Sequence, residues 1–246
     1  MNRVALITGS SRGMGEAEAY EFALRGYDII INYVNSEEKA NQVKATIEEK
    51  YQVKCVVIQA DLSQETDVKR LAEEALQAFG KVDVLINNAG IALYDDFNNK
   101  TLFGWETSMQ VNVYAPFLLT QILGKEMVKN QYGKIVNIAS IDVMTTYNPE
   151  SVEYDASKAA LMNLTKTSSL QLQPYVNVNC VCPGWVETDM NKDLPQELLD
   201  YQASKTCKGR MAKPEEVAKL VAFLASDDAE FIDGEVIKID GGYKLM

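Results

Sequence analysis

Val4-Ala5-Leu6-Ile7-Thr8 runs directly into Gly9-Ser10-Ser11-Arg12-Gly13-Met14-Gly15, and a helical pattern from Glu16 to Arg25 follows, closed by Gly26. An unbroken apolar run of this kind is a strand covered on both faces, as a parallel sheet requires. The glycine loop therefore sits where a strand hands over to a helix N-terminus, where unpaired N–H groups and positive partial charge meet an anionic ligand. Glycines there let the backbone approach a diphosphate closely. The spacing is G-x-x-x-G-x-G, and a tight turn without a ligand is the other reading of the bare pattern. Its place at the head of a strand–helix series favours the nucleotide reading.

The alternation continues outward from that loop. Strands are expected at Asp28–Tyr33, Val53–Gln59, Val82–Ile86, Lys134–Ile138, Val176–Val181 and Glu235–Ile239. Helices are expected at Glu37–Glu49, from near Glu65, from about Leu102 to Asn130, after Tyr154, and at Pro214–Ala225. With no repeat, low-complexity segment or Pro- or Ser-rich linker, this pattern predicts an α/β chain. The expected architecture is a doubly wound Rossmann-type fold with a seven-stranded parallel sheet, in one domain spanning residues 1–246. The stretch from about 185 to 210 lacks a sheet period and is expected to be a lid over the site.

At 246 residues with 47% hydrophobic side chains, the chain can bury a large core. Its 24 basic and 35 acidic residues leave a net charge of −11 without any basic run, which argues against nucleic acid and membrane surfaces as partners. No apolar run approaches the roughly 18 residues of a membrane span, and no signal segment precedes the first strand, so the cytoplasm is the expected compartment. Histidine is absent. The cysteines, Cys55, Cys180, Cys182 and Cys207, form no C-x-x-C pair, so neither a structural disulfide nor a metal site is expected. Cys180 and Cys182 read as small core residues on one face of a strand.

Tyr154-Asp155-Ala156-Ser157-Lys158 opens an apolar helical run, and residues four apart on a helix share a face. A lysine cation beside a phenol favours the phenolate, so this pair offers acid–base chemistry without histidine. Tyr201 and Lys205 have the same spacing and read as a solvated helix face.

The strand ending at Tyr33 lacks the acid that usually holds the ribose hydroxyls of NAD; Asn32, Tyr33, Val34, Asn35 and Ser36 stand there instead. With Arg12 in the glycine loop, this favours NADP(H). Asp61 meets the adenine edge or caps the following helix. Asn87-Asn88-Ala89-Gly90 ends the fourth strand at the ligand-bearing edge of the sheet. Asn112 is a polar residue between Val111 and Val113, and as a buried amide it also has a structural reading. Ser140 follows the fifth strand, and Pro183-Gly184 follows the sixth.

Taken in order, Thr8-Gly9-x-x-x-Gly13-x-Gly15, Asp61-Leu62, Asn87-Asn88-Ala89-Gly90, Asn112, Ser140, Tyr154-x-x-x-Lys158, Pro183-Gly184 with Thr188, and Asp240-Gly241-Gly242 resemble the classical short-chain dehydrogenase/reductases almost end to end. The resemblance implies a catalytic set of Asn112, Ser140, Tyr154 and Lys158. In it Tyr154 is the acid in reduction, Lys158 lowers its pKa, Ser140 binds the substrate oxygen and Asn112 keeps a proton-relaying water. It also implies an NADP(H) path over Gly9, Ser11, Arg12, Gly13, Met14, Gly15, Asn32, Asp61, Leu62, Asn88, Ala89, Gly90, Tyr154, Lys158, Pro183, Gly184, Val186 and Thr188. Met144, Tyr147, Trp185 and Met190 are candidates for the substrate pocket because they flank Ser140 and Gly184.

Within the family the chain is most similar to bacterial 3-oxoacyl-acyl carrier protein reductases, which implies a 3-oxoacyl thioester substrate, an acyl carrier protein partner, a place in fatty acid biosynthesis and a homotetramer. The subunit contacts would come from the helix around Asn112, the catalytic helix and the segment Tyr243 to Met246. Where those reductases present basic residues to the carrier, this chain has Gln131 and the vicinity of Pro174 and Tyr175. A free ketone, diketone or sugar-derived carbonyl therefore stays open as the substrate. A non-catalytic NADP sensor is a reading from another class.

Overall fold

Alternate residues of the first strand point to opposite faces, and both faces find apolar partners. In the computed structural model, which describes residues 2–144, 149–189, 191 and 194–244, β1 (Val4–Ile7) lies between β2 (Asp28–Tyr33) and β4 (Val84–Asn87). Beyond β2 lies β3 (Cys55–Gln59), and on the other side follow β5 (Gly133–Ile138), β6 (Val176–Pro183) and β7 (Val236–Ile239). The order is β3-β2-β1-β4-β5-β6-β7, and every described pairing is parallel. The seven-stranded, doubly wound Rossmann-type sheet expected from the sequence is therefore what the chain forms.

On one face Val4, Leu6, Ile30, Leu85 and Ile135 pack with Leu71 of α3 (Glu65–Phe79) and with Leu119 and Leu123 of α5 (Ala115–Lys129), the run into which α4 (Leu102–Met109) leads. On the other, Ala5, Ile7, Ile29, Ile31 and Ile86 pack with Phe22 of α1 (Gly13–Leu24), Ile47 of α2 (Glu37–Tyr51) and Val217 and Val221 of α8 (Pro214–Leu224). Full burial of one such aliphatic side chain stabilises the fold by about 1.5–3 kcal/mol, so a one-residue slip that exchanged the faces is strongly disfavoured. The direction of winding reverses between β1 and β4, so the connections that follow these two strands leave to opposite faces of the sheet, and ligands bind at such a point in open α/β sheets.

Several boundaries differ from the sequence reading, each for a local reason. The helix expected from Leu102 to Asn130 contains a π turn, Gln110–Tyr114, between α4 and α5. Asp61 does not cap α3. Gln64 holds that position, while Asp61 Oδ1 accepts from Ser63 N at 2.9 Å in a turn of its own. The catalytic-segment helix is α6 (Val152–Leu172), and the irregular stretch 185–210 contains a regular helix, α7 (Gln196–Lys205). Cys180 and Cys182 are buried with Ala139 and Ile141. No helix of the described residues is long and apolar enough to cross a membrane.

Glu18 breaks the pattern of α1. It is fully buried, and neither carboxylate oxygen has a hydrogen-bond partner among the described residues. Burial raises its pKa well above the ordinary carboxyl range. The neutral acid is the form the fold accepts, so the stability it permits is complete below the unfolded carboxyl pKa and is lost as pH rises toward the folded value. Glu18→Leu is accordingly expected to stabilise the protein at pH 8 by about 1–3 kcal/mol in urea unfolding, with a smaller gain at pH 5. Equal gains at the two pH values would mean that the carboxyl carries no raised pKa.

Candidate active site

The hydroxyl of Thr8, one residue past β1, donates to Ile86 O at 3.2 Å and accepts from the N–H groups of Asn88 and Ala89, both at 3.0 Å. Asn88 returns the contact, its Nδ2 donating to Thr8 O at 2.9 Å and Gly9 O at 3.4 Å. The glycine loop is thereby stitched to the end of β4 at the reversal point of the sheet. The stitch leaves no room for side chains. A Cβ on Gly15 would lie 2.6 Å from both Asn88 Nδ2 and Gly9 O, and Gly9, at φ +64°, would place one 3.1 Å from Ala89. These contacts explain the glycines independently of any ligand.

The loop also retains what an anion needs. Arg12 occupies the N-cap of α1 in extended conformation without a side-chain cap, so first-turn N–H groups stay available. Its guanidinium is exposed and has no ion-pair partner among the described residues. Against Gly13 stands Thr188, and a cleft of about 360 Å³ is lined by Gly13, Glu187, Thr188, Asp189, Asn191, Leu199 and Met211. An uncapped helix N-terminus, a cleft beside Gly13 and the exposed Arg12 guanidinium fit the diphosphate and 2′-phosphate of NADP(H).

Not every expected contact faces that groove. Asn32 is 1% exposed: its Oδ1 accepts from Gly9 N at 3.1 Å, and its Nδ2 donates to Ala60 O at 3.2 Å. The side chain thus ties the glycine loop to β2 and β3, and its hydrogen bonds are spent on backbone and not on the groove. Leu62 turns its side chain into the core, leaving only its backbone for a ligand. Ser11 is buried and Met14 packs against the core. Gly184 sits under Asp240, Pro183 ends β6 beside Ile239, and Val186 is buried beside Ala212. Trp185 is partly buried and Met144 is exposed, whereas Tyr147, Met190 and the end of the Tyr243 to Met246 segment lie outside the described residues.

The residues expected to carry the chemistry meet at the carboxyl ends of β4, β5 and β6. The π turn carries Asn112 inward, where it pairs with Ile91 as a strand would: Ile91 N donates to its Oδ1 and its Nδ2 donates to Ile91 O, both at 2.9 Å. The same Nδ2 donates to Ser157 Oγ at 2.9 Å, linking this segment to α6. Ser140 accepts from Asp142 N at 3.2 Å, and its hydroxyl lies near enough to the Tyr154 phenol to lower its pKa. Lys158 is buried, with its Nζ donating to Ile138 O at 2.7 Å. Gly90 stands against that ammonium, since a Cβ there would come within 3.1 Å of it.

The electrostatics differ from the sequence expectation. Lys158 Nζ is 5.6 Å from the centre of the Tyr154 ring, and the phenol is held above its usual pKa, chiefly by burial and further by Asp142, Tyr94 and Asp155, while Ser140 lowers it. Burial pushes Lys158 down to about 8, against the raising influence of Cys180 and Cys182. At neutral pH the pair therefore holds a protonated phenol and a charged ammonium. Tyr94 was not legible as a site residue, since it lies in an irregular connection without a motif. A buried chain from Asn87 Nδ2 to Asn137 Oδ1 at 2.8 Å, and from Asn137 Nδ2 to Thr165 Oγ1 at 2.9 Å, backs the site. Its sequence signal was two asparagines inside apolar strands, aligned in register.

Residues 9–244 match a family model described as Enoyl-(Acyl carrier protein) reductase. The 3-oxoacyl-(acyl-carrier-protein) reductase FabG of Aquifex aeolicus is 39% identical over 241 residues, covering 98% of this chain and 96% of that protein. The chain belongs to the short-chain dehydrogenase/reductase family. It is an oxidoreductase of that family. Among solved structures, a blue fluorescent protein from a metagenomic library in complex with NADPH superposes with a TM-score of 0.92 at 32% identity, over 99% of this chain and 98% of that one. Acetoin dehydrogenase YohF of Salmonella typhimurium gives 0.89, also at 32% identity, over 98% and 97%.

The contact at Gly15 gives a direct test of the loop geometry. Gly15→Ala is expected to destabilise the protein by about 1–3 kcal/mol, because the new methyl meets backbone and a hydrogen-bonded amide. Thermal and urea unfolding check this, and unchanged midpoints would show that the loop yields without cost.

Proposed function

We propose that this chain reduces a carbonyl to a secondary alcohol with NADPH, and that its substrate is a 3-oxoacyl thioester. The observation that carries the reading is the Tyr154 phenol, held protonated by burial beside the Ser140 hydroxyl, with the Lys158 ammonium behind it. Two hydroxyls on one point can both donate to a carbonyl oxygen as it becomes an alkoxide. When bound, the nicotinamide supplies the hydride. Tyr154 supplies the proton, Ser140 holds the oxygen, and the charged Lys158 reduces the cost of the phenolate left behind. Asn112 braces α6 through Ser157, and the water-relay role stays part of this reading.

Arg12, exposed and unpaired among the described residues, and the absence of an acid at the end of β2 support NADP over NAD, as does the NADPH complex of a structural relative. The acyl substrate is supported by the Aquifex aeolicus relative. The second reading, a small free ketone, is favoured by Gln131 and Tyr175, where a carrier-docking surface calls for basic residues, and by the acetoin dehydrogenase among the structural relatives. In either case residues 1–246 act as one cytoplasmic domain, with the stretch 185–210, including α7, as its lid. Exposed Leu102, Phe103, Tyr114 and Phe117 on the run through α4 and α5 supply apolar surface for a homotetramer. Comparing acetoacetyl thioester, free and carrier-linked, with a diketone decides the substrate. Turnover of the diketone alone removes the acyl reading.

Tyr154→Phe is expected to lower kcat about 10²–10⁴-fold with NADPH affinity retained, and a variant keeping a tenth of the activity contradicts the assignment. In the wild type, reductive kcat/KM should fall as pH rises through about 8, because Lys158 is charged below that value and neutral above it. Arg12→Ala should raise the Kd of NADPH but not of NADH, as measured by fluorescence titration. An unchanged NADPH Kd removes Arg12 from the phosphate site.

A further inference from the structure

Lys100 lies in the connection between β4 and α4, remote in sequence from the helix that carries Tyr154. Its Nζ donates to Leu93 O at 2.6 Å, to Glu150 O at 2.7 Å and to Glu153 Oε1 at 2.9 Å. Those three bonds use every N–H of an ammonium, and they go to three stretches of chain: the strap leaving β4, the turn before α6 and the first turn of α6. The ion-pair side chains of Lys100 and Glu153 are 8% and 1% exposed, so solvent screens the pair little. The other Glu153 oxygen has no hydrogen-bond partner among the described residues, which leaves Lys100 to compensate a buried charge. A backbone bond from Asp95 N to Glu150 O at 3.0 Å closes the same junction.

What the junction holds is adjacent to the chemistry. Tyr94 follows Leu93 and Tyr154 follows Glu153, so the braced segments each carry a phenol directly beside the anchored residue. Tyr94 stands near enough to influence the protonation of Tyr154. We propose that Lys100 is a positioning residue, clamping the strap that carries Tyr94 to the first turn of α6 and so setting where the Tyr154 hydroxyl meets a substrate. The proposal rests on Tyr154 as the proton donor, but the brace has a readout that does not depend on turnover. A surface lysine makes loose, screened contacts worth little. Lys100, with three short bonds in a shielded site, constrains backbone on both sides of the pocket.

The test uses protein labelled with ¹³Cζ-tyrosine, the Tyr154 resonance being assigned by its loss in Tyr154→Phe. Three proteins are compared: wild type, the double variant Lys100→Met/Glu153→Leu, which leaves no buried charge uncompensated, and the control Lys69→Met, which breaks the exposed Lys69–Glu65 pair on α3. In the double variant the Tyr154 resonance should shift or broaden. Its kcat for the best carbonyl substrate should fall at least about tenfold, while the NADPH Kd stays within about twofold. The control should change none of these. An unmoved Tyr154 resonance in the folded double variant overturns the proposal whatever the activity. If the wild type reduces no carbonyl, the functional reading fails, and the resonance still decides the brace. Should the double variant not fold, Glu153→Gln, which retains an acceptor for Lys100 but weakens the clamp, is expected to give a smaller shift of the same sense; no shift there overturns the proposal.

Discussion

The Thr8 hydroxyl, donating to Ile86 O and accepting from Asn88 and Ala89, joins the two halves of the sheet where their winding parts. The connections that follow the two strands diverge at such a reversal, and unpaired backbone groups at the strand ends would be costly in a buried position. Here one small side chain satisfies them and brings the glycine loop against Asn88. The absence of Cβ atoms at Gly9 and Gly15 follows from this closeness. The glycine loop takes its position from that knot.

The same edge of the sheet gathers buried polar groups at a density that a core does not normally tolerate. They are held through one another: Asn32 through the glycine loop and the end of β3, Asn112 through Ile91 and Ser157, and the Asn87 amide through Asn137 to Thr165, although Asn87 Oδ1 has no hydrogen-bond partner among the described residues. Low dielectric strengthens the bonds such a network makes and penalises the oxygen it leaves unpaired. Within it the phenol and the ammonium have their pKa values driven in opposite directions. Burial raises Tyr154 and lowers Lys158 because it disfavours the charged form of each, the anion in one case and the cation in the other.

Glu18 shows the contrary case, a buried acid without a partner in an otherwise apolar helix face. It sits between Gly15 and Phe22 along the face that meets the sheet, where the helical period calls for an apolar side chain. Nothing in the described structure explains why an acid occupies it.

Local pattern carries much of this protein. The apolar run Val4–Ile7, the glycine spacing and the recurring alternation were sufficient for the fold, because a strand covered on both faces and a helix opened by glycine each leave a mark within a few residues. The Tyr154 and Lys158 pair was legible for the same reason, as helical spacing is local. Tertiary structure decided what lies across the sheet. It turned Asn32 away from the groove and into a knot with Ala60, moved the α3 cap from Asp61 to Gln64, widened the helix around Asn112, and brought Lys100 to Glu153. Those outcomes depend on which distant backbone group offers a hydrogen bond and how deeply a charge is buried, quantities that exist only after the strands have paired.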